Sequence, residues 1–156
     1  MHDLTTGRSA TGTPHMINQT PANWCSKRQL TVETAACGSE LVAGQTAAEQ
    51  VMDTHCTLRV MGVPIDGPSH MFGDNESVIT SSMAPHSMLG KRRNMLLCHQ
   101  CREAIAAGVS KMFHADGKQS RSDVMTKFLA RAPSCPLVRC FLFWKGPIGV
   151  DSAQFL

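Results

Sequence analysis

The sequence predicts an α/β protein in which a mixed β-sheet is flanked by helices. Three observations support this class. Short segments with strand character alternate with two long segments whose apolar residues recur at helical spacing. The hydrophobic fraction of 42% is typical of a globular chain, and 156 residues suffice for one domain with a buried core. We assign residues 1–130 to this domain and 131–156 to a C-terminal tail, which contains three prolines.

The domain is predicted to begin with a pair of short strands. Residues 1–12 are predicted to form a turn leading into them. The strands cover residues 13–18 and 23–32, and the turn between them at 19–21 contains a proline. Pro14 lies in the first strand. Because proline cannot donate a hydrogen bond to a sheet ladder, we expect it at a sheet edge or at a strand start.

A long helix is predicted over residues 34–61. Four apolar residues in this segment recur at near-helical spacing, and the helix breakers Gly62 and Pro64 follow it. These four residues are Leu41, Ala48, Met52 and Cys56.

The rest of the domain alternates in the same way between strand and helix patterns. The predicted elements are a strand at 70–72 that leads to Asp74, a short helix or turn at 76–82, a long helix at 88–107, a strand at 109–115, a loop at 116–120 and a last helix at 121–130.

Composition narrows the class of protein further. The formal net charge is +3, from 15 basic and 12 acidic residues, which is compatible with a nucleic-acid partner without requiring one. Residues 1–14 contain no apolar run of a secretory signal, and no apolar stretch approaches membrane-spanning length. Seven cysteines cannot all pair with one another. We therefore expect an intracellular protein, cytoplasmic or nuclear, with reduced thiols.

Eight short segments, spread over nearly the whole chain, follow one another in an order that is more specific than any single motif. They are residues 2–12, 24–29 (WCSKRQ), 32–43, 62–69, 72–78 (FGDNESV), 99–104, the segment around Asp123, and 142–146. Together they resemble the C-terminal ribonuclease H domain of the Pol polyprotein of copia-type LTR retrotransposons.

This resemblance implies a ribonuclease H-like fold that is incomplete at its N-terminus. The first strand of that fold runs through the middle of the sheet and carries the first metal-binding aspartate. In this sequence Met1 falls after the place of that strand. We therefore expect the hairpin of residues 13–32 and the strand ending at Asp74 to lack their shared partner.

The resemblance also implies a set of catalytic and metal-binding carboxylates. Glu40 corresponds to the carboxylate on the first helix, Asp74 to the one at the strand end and Asp123 to the one on the final helix. In the family such carboxylates hold two Mg²⁺ ions, which activate water and stabilise the leaving oxygen of a phosphodiester. Ordinary structural roles are the alternative: Asp74 as a helix cap, Asp123 in the first turn of its helix and Glu40 as an exposed helix residue.

Two further groups of residues are candidate sites. A basic group on the second long helix has the character of a weak nucleic-acid-binding face that contacts phosphates, and a solvated helix face is an equally good interpretation. It consists of Lys91, Arg92, Arg93 and Arg102. Cys98 and Cys101 have no second ligand pair, so buried small apolar residues describe them better than a zinc site.

Three functions follow from these observations. The first is the ribonuclease H region of a copia-type polyprotein, joined to its reverse transcriptase portion and hydrolysing RNA in RNA–DNA hybrids. Its activity is expected to be impaired, because the first catalytic aspartate is missing from this sequence. The second is a non-catalytic retroelement remnant that at most binds nucleic acid weakly. The third is an open reading frame without a selected role.

Overall fold

A computed structural model describes residues 7–18, 20–30, 32–33, 36–86, 91–117, 120–139 and 141–142. This part of the chain is mixed α/β, with four strands and five helices. In chain order the elements are β1 (Ala10–Ile17), β2 (Thr20–Arg28), α1 (Ala36–Val60), β3 (Ser69–Gly73), α2 (Glu76–Met83), α3 (Arg92–Ala106), β4 (Ser110–His114), α4 (Asp123–Thr126) and α5 (Arg131–Arg139).

The strands form two separate two-stranded sheets. β1 and β2 are an antiparallel hairpin, and β3 and β4 pair in parallel. The single mixed sheet predicted from the sequence is therefore wrong for the described residues. Among them no strand joins β1 to β3. Pro14 is tolerated in β1 because this strand pairs on one side only.

The hairpin differs from its prediction at the turn and at both ends. Asn18 adopts a left-handed conformation with a φ of 56°, and β2 already begins at Thr20. Pro21 therefore lies in a strand instead of in the turn. It sits where the register shifts next to Met16, and such an irregularity accommodates a residue without an N–H.

The helix predicted at 121–130 is the largest error within the predicted domain. Only the four residues of α4 are helical, because the backbone of Lys127 turns to an extended conformation at φ −128° and ψ 145°. Part of the predicted tail instead forms α5. Pro133 lies in the first turn of α5, where no backbone N–H needs a helical acceptor, so proline there does not prevent a helix.

The apolar core lies between α1 and the parallel sheet. Its larger cluster joins α1 to Met71 of β3, Met112 of β4 and Ile79 of α2. A second cluster surrounds Leu41, which is fully buried near the N-terminus of α1. Its other members come from α2 and α3. Helix α1 therefore provides the surface on which the strand ends and the shorter helices are arranged.

The hairpin is attached to α1 mainly through polar groups. Gln29 donates from Nε2 to Thr11 Oγ1 at 3.0 Å and to the backbone carbonyl of Ser39 at 2.8 Å. Thr13 Oγ1 donates to Gln50 Oε1 at 2.8 Å. Thr11, Thr13 and Gln29 are all buried, so each of these bonds offsets the desolvation of a polar group.

The opposite face of the hairpin is covered by α4. A Cβ atom at Gly12 would lie 2.6 Å from Thr126 Cγ2, 2.8 Å from Met125 Cβ and 3.0 Å from the Ser122 carbonyl oxygen. Ser26 Oγ on β2 donates to the carbonyl of Met125 at 2.9 Å. The absence of a side chain at Gly12 is therefore what allows α4 to approach β1.

Two further findings bear on the environment of the protein. No helix in the described ranges is long and apolar enough to cross a membrane. The six cysteines whose state is described are free thiols.

Candidate functional site

Glu40 lies near the N-terminal end of α1. The second turn of α1 places Leu41 in the core, so the neighbouring Glu40 is held at the core boundary with its side chain partly buried. Its Oε2 atom is shielded from solvent and has no hydrogen-bond partner among the protein groups described. A carboxylate oxygen in this situation is costly unless a cation or solvent compensates for it.

The surroundings of Glu40 disfavour its ionised form. Desolvation by burial raises the pKa of Glu40 above its ordinary value, and the negative charge of Asp74 raises it further. A side-chain hydrogen bond with Asn75 and the positive charge of Lys127 act in the opposite direction. Two carboxylates close enough to repel each other are a feature of cation sites, because a bound cation relieves both the repulsion and the desolvation.

Asp74 is placed by the end of β3, and it is not the helix cap that one interpretation of the sequence gave it. Asn75 is the N-cap of α2: its Oδ1 accepts from the backbone N–H groups of Ser77 and Val78. That leaves Asp74 exposed at the strand end and its carboxylate uncommitted to the helix. A Cβ atom at Gly117 would lie 3.6 Å from Asp74 Oδ2, so the loop after β4 passes beside this carboxylate.

Asn75 is a site residue that the sequence interpretation missed. Its Oδ1 caps α2, and its side chain stabilises the ionised form of Glu40, which lowers the pKa of that carboxyl. Asn75 therefore acts both on α2 and on the charge of Glu40. The signal was available in the sequence, because asparagine immediately before a helix is a favoured N-cap.

Asp123 occupies the first position of α4, as the structural interpretation allowed, and it is engaged by a lysine. Lys127 Nζ lies 2.8 Å from Asp123 Oδ1 and 2.9 Å from Oδ2, one helical turn away. The positive charge of Lys127 also lowers the pKa of Glu40, so this lysine acts on both acids. The i to i+4 spacing of these residues indicates the pair from sequence alone.

The charge of Glu40 interacts with those of Asp74 and of Lys127, the partner of Asp123, but the three carboxylates do not form a three-ligand cage among the side chains that the structure describes. Among the described residues no group of three or more histidine, cysteine or acidic side chains is close enough to hold a metal ion. Glu40 and Asp74 fit part of a Mg²⁺ site, because Glu40 Oε2 is buried without a partner and hard cations prefer carboxylate oxygens. Asp123 fits less well, since Lys127 already neutralises it.

The predicted basic face is divided by the fold into structural and exposed residues. Arg93 Nη1 lies 3.1 Å from Oε1 of the buried Glu33. Arg102 donates from Nε and Nη2 to the carbonyl of Ser81, at 3.0 and 2.7 Å, near the C-terminal end of α2. These guanidinium groups stabilise the fold itself. Lys91 and Arg92 are exposed at the beginning of α3.

The two cysteines of α3 have the character of core residues. Both are buried, and Cys98 Sγ donates to the carbonyl of Ser81 at 3.2 Å. Burial, followed by the nearby Cys98 and Glu49, raises the pKa of Cys101 to about 11. Because thiols bind metals as thiolates, this environment opposes metal binding.

Comparisons with known proteins leave the family of this chain unassigned. No protein-family model matches the sequence, and neither the curated proteins nor the solved structures contain a significant match.

Proposed function

We propose that this chain is the ribonuclease H region of a copia-type retrotransposon polyprotein, with an impaired hydrolytic site built on Glu40, Asp74 and Asp123. The observation that carries the proposal is the position of Glu40 beside Asp74 at the end of a parallel strand pair, with one Glu40 oxygen buried and without a partner. The resemblance of the sequence placed carboxylates at these same positions.

The arrangement of strands also supports the proposal. A hairpin and a parallel pair that both rest on α1 are compatible with the strand arrangement that the resemblance implies. β1 is buried on both faces at Thr11, Gly12 and Thr13, as is typical of an interior strand, although it pairs on one side only.

The substrate in this proposal is the RNA strand of an RNA–DNA hybrid, and the partner is the reverse transcriptase portion of the parent polyprotein. When bound, Mg²⁺ would polarise the phosphodiester and activate water. Glu40 and Asp74 would hold the ion, and Asn75 would keep Glu40 oriented. Lys127 neutralises Asp123 and so weakens the third ligand, which is why we propose impaired activity.

Metal binding tests the site directly. We expect calorimetric titration with Mn²⁺ or Mg²⁺ to show one weak site in the full chain that is lost in Asp74→Asn and retained in Asp53→Asn. Asp53 is a suitable control because it is an exposed aspartate on α1. An affinity for metal that Asp74→Asn leaves unchanged would show that the carboxylates do not form a cation site, and the proposal would be wrong.

A cleavage assay tests the proposal that hydrolysis of RNA–DNA hybrids is impaired. Incubation of the chain with a labelled RNA–DNA hybrid in Mg²⁺ should give no cleavage, or only slow cleavage. Rapid cleavage that Asp74→Asn abolishes and Asp53→Asn preserves would mean that the residues present suffice for catalysis. In that case the nuclease assignment would stand, and the impairment would be incorrect.

A non-catalytic retroelement remnant that binds nucleic acid weakly is the second candidate. The observation that favours it is the engagement of Asp123 by Lys127, together with the lack of a three-ligand group among the described side chains. Complete absence of both metal binding and cleavage, in a chain that melts cooperatively and still binds an oligonucleotide, would favour this remnant over the nuclease.

A further inference from the structure

The outer face of the parallel sheet presents an unusual set of side chains. Residues alternate between the two faces of a strand, and directly paired residues of adjacent strands share a face. His70 pairs with Lys111, and Phe72 pairs with Phe113. We call these four residues the aromatic face; all four are exposed.

The rings of the aromatic face are clustered and open to solvent. Phe113 lies with its ring centroid 4.9 Å from that of His70 and 5.9 Å from that of Phe72. Phe72 is 68% exposed and Phe113 is 40% exposed. Two neighbouring phenylalanines with this exposure form a contiguous apolar patch, and such patches mark interaction sites.

The strands that carry the aromatic face are firmly anchored from behind. Met71 and Met112 point into the core and contact α1, α2 and α3 through the larger apolar cluster. Ser69 Oγ, on the same inner side, is 2.8 Å from Nε2 of the buried His55. The exposed rings are therefore presented by a rigid platform, which lowers the entropy lost when a ligand stacks on them.

The charge of the aromatic face favours an anionic partner. Lys111 lies beside the rings, and none of the ten residues of β3 and β4 is acidic. The groove between α1 and α3, on another surface, has the opposite character, because it is lined by Glu49 and Glu103. Aromatic rings with an adjacent cation are the combination with which proteins bind single-stranded nucleic acids, by base stacking and phosphate contact.

We propose that the aromatic face binds an unpaired nucleic-acid strand, with bases stacked on Phe72 and Phe113 and a phosphate contacted by Lys111. β3 ends one residue before Asp74, so a nucleic-acid strand that follows β3 along this face ends near Asp74. Any link between this surface and the hydrolytic site rests on the proposed function. The stacking surface itself depends only on the residues of β3 and β4.

Fluorescence anisotropy of a labelled twelve-nucleotide oligo(dT) or oligo(U), measured in EDTA, tests this proposal without any contribution from metal. We expect Phe72→Ala to weaken binding about tenfold and the double variant with Phe113→Ala to weaken it further. Phe128→Ala is the matched control, because Phe128 is 101% exposed and belongs to neither β3 nor β4. It should leave the affinity unchanged.

Lys111→Ala provides an independent measurement. Loss of one phosphate contact should lower the slope of log affinity against log salt concentration by about 0.7 for a single strand. Thermal melts of all variants establish folding, and Phe72→Leu serves as a second variant that keeps apolar packing but removes the aromatic stack.

Three results would overturn the proposal. They are no oligonucleotide binding by the folded chain, binding that Phe72→Ala and Phe72→Leu leave unchanged, and concentration-dependent self-association that Phe72→Ala abolishes, which would make the aromatic face a protein interface. Asp74→Asn should not alter binding in EDTA. Oligonucleotide binding that depends on Phe72, in a chain without a metal site at Asp74, would therefore support this surface and contradict the proposed nuclease site.

Discussion

The two sheets of this protein are attached to the same helix by different interactions. β3 and β4 press Met71 and Met112 into an apolar cluster with α1. The hairpin β1–β2 instead buries Thr11, Thr13 and Gln29 and is attached to α1 through their hydrogen bonds. Apolar burial is non-directional and tolerates conservative exchange, whereas a buried hydrogen bond fails if either partner is removed. Substitutions that change side-chain volume should therefore destabilise the attachment of the parallel sheet most. Substitutions that remove a hydrogen-bonding group should destabilise the attachment of the hairpin most.

The largest effect on stability is expected in the apolar cluster around Leu41. Leu41→Ala should lower the free energy of unfolding by about 3 kcal/mol, because Leu41 is 0% exposed and its removal leaves a cavity between α1, α2 and α3. Denaturant titration followed by circular dichroism measures this loss. A loss below about 1 kcal/mol would mean that this cluster, which joins α1 to α2 and α3, is loosely packed.

Steric exclusion at the hairpin should give the next largest effect. Gly12→Ala should cost about 1–3 kcal/mol, since the new Cβ would overlap Met125 and the carbonyl of Ser122 in α4. Gly44→Ala in α1 is the matched control: its Cβ would meet only Cys101 Sγ at 3.7 Å. This control should stabilise the chain by about 0.5–1 kcal/mol. If both variants were neutral in thermal melts, α4 would not be held against β1.

Removal of one polar group tests the difference between the attachment of the hairpin and that of the parallel sheet. Thr11→Val keeps the shape of the side chain but removes the oxygen that accepts from Gln29, so we expect a loss of about 1 kcal/mol. Met112→Leu, a volume-conserving change in the apolar cluster, should cost less than that. Denaturant unfolding midpoints of the two variants measure the two losses of stability. Equal losses would mean that the hairpin and the parallel sheet do not differ in how they are attached to α1.

The smallest effect on stability is expected at Glu40 in the candidate site. Because the folded-state pKa of Glu40 is raised, its ionised form opposes folding above that pKa, and the penalty disappears as the pH falls below the ordinary value of 4.5. Glu40→Gln should therefore stabilise the chain at pH 7, by well under about 1 kcal/mol because the site is partly solvated. The gain should vanish near pH 4.

Melting temperatures between pH 4 and pH 7 measure this difference, and Glu49→Gln, at an exposed position of the same helix, is the control. Added Mg²⁺ should raise the melting temperature of the natural sequence more than that of Glu40→Gln, because the ion relieves the repulsion between Glu40 and Asp74. If Glu40→Gln were still more stable than the natural sequence at pH 4, the difference would not come from ionisation of the Glu40 carboxyl.

The local pattern of the sequence determined most of the secondary structure. α1 was predicted to begin within two residues and to end within one residue of its observed bounds, since apolar periodicity and Gly62 are local signals. β3, β4 and the short helix α2 were also predicted close to their observed positions. Asn75 and Lys127 carry equally local signals, as a helix cap and as an i to i+4 partner of Asp123.

Tertiary structure alone decided how the strands pair and which charges meet. Whether β1 and β3 share a sheet depends on a partner that a local pattern cannot specify, and the structure leaves the hairpin and the parallel pair separate. The proximity of Glu40 to Asp74 and Lys127 joins residues from three distant segments. The exposure of Phe72 and Phe113 is of the same kind, because an alternating strand pattern gives two faces but does not say which one the rest of the chain will cover.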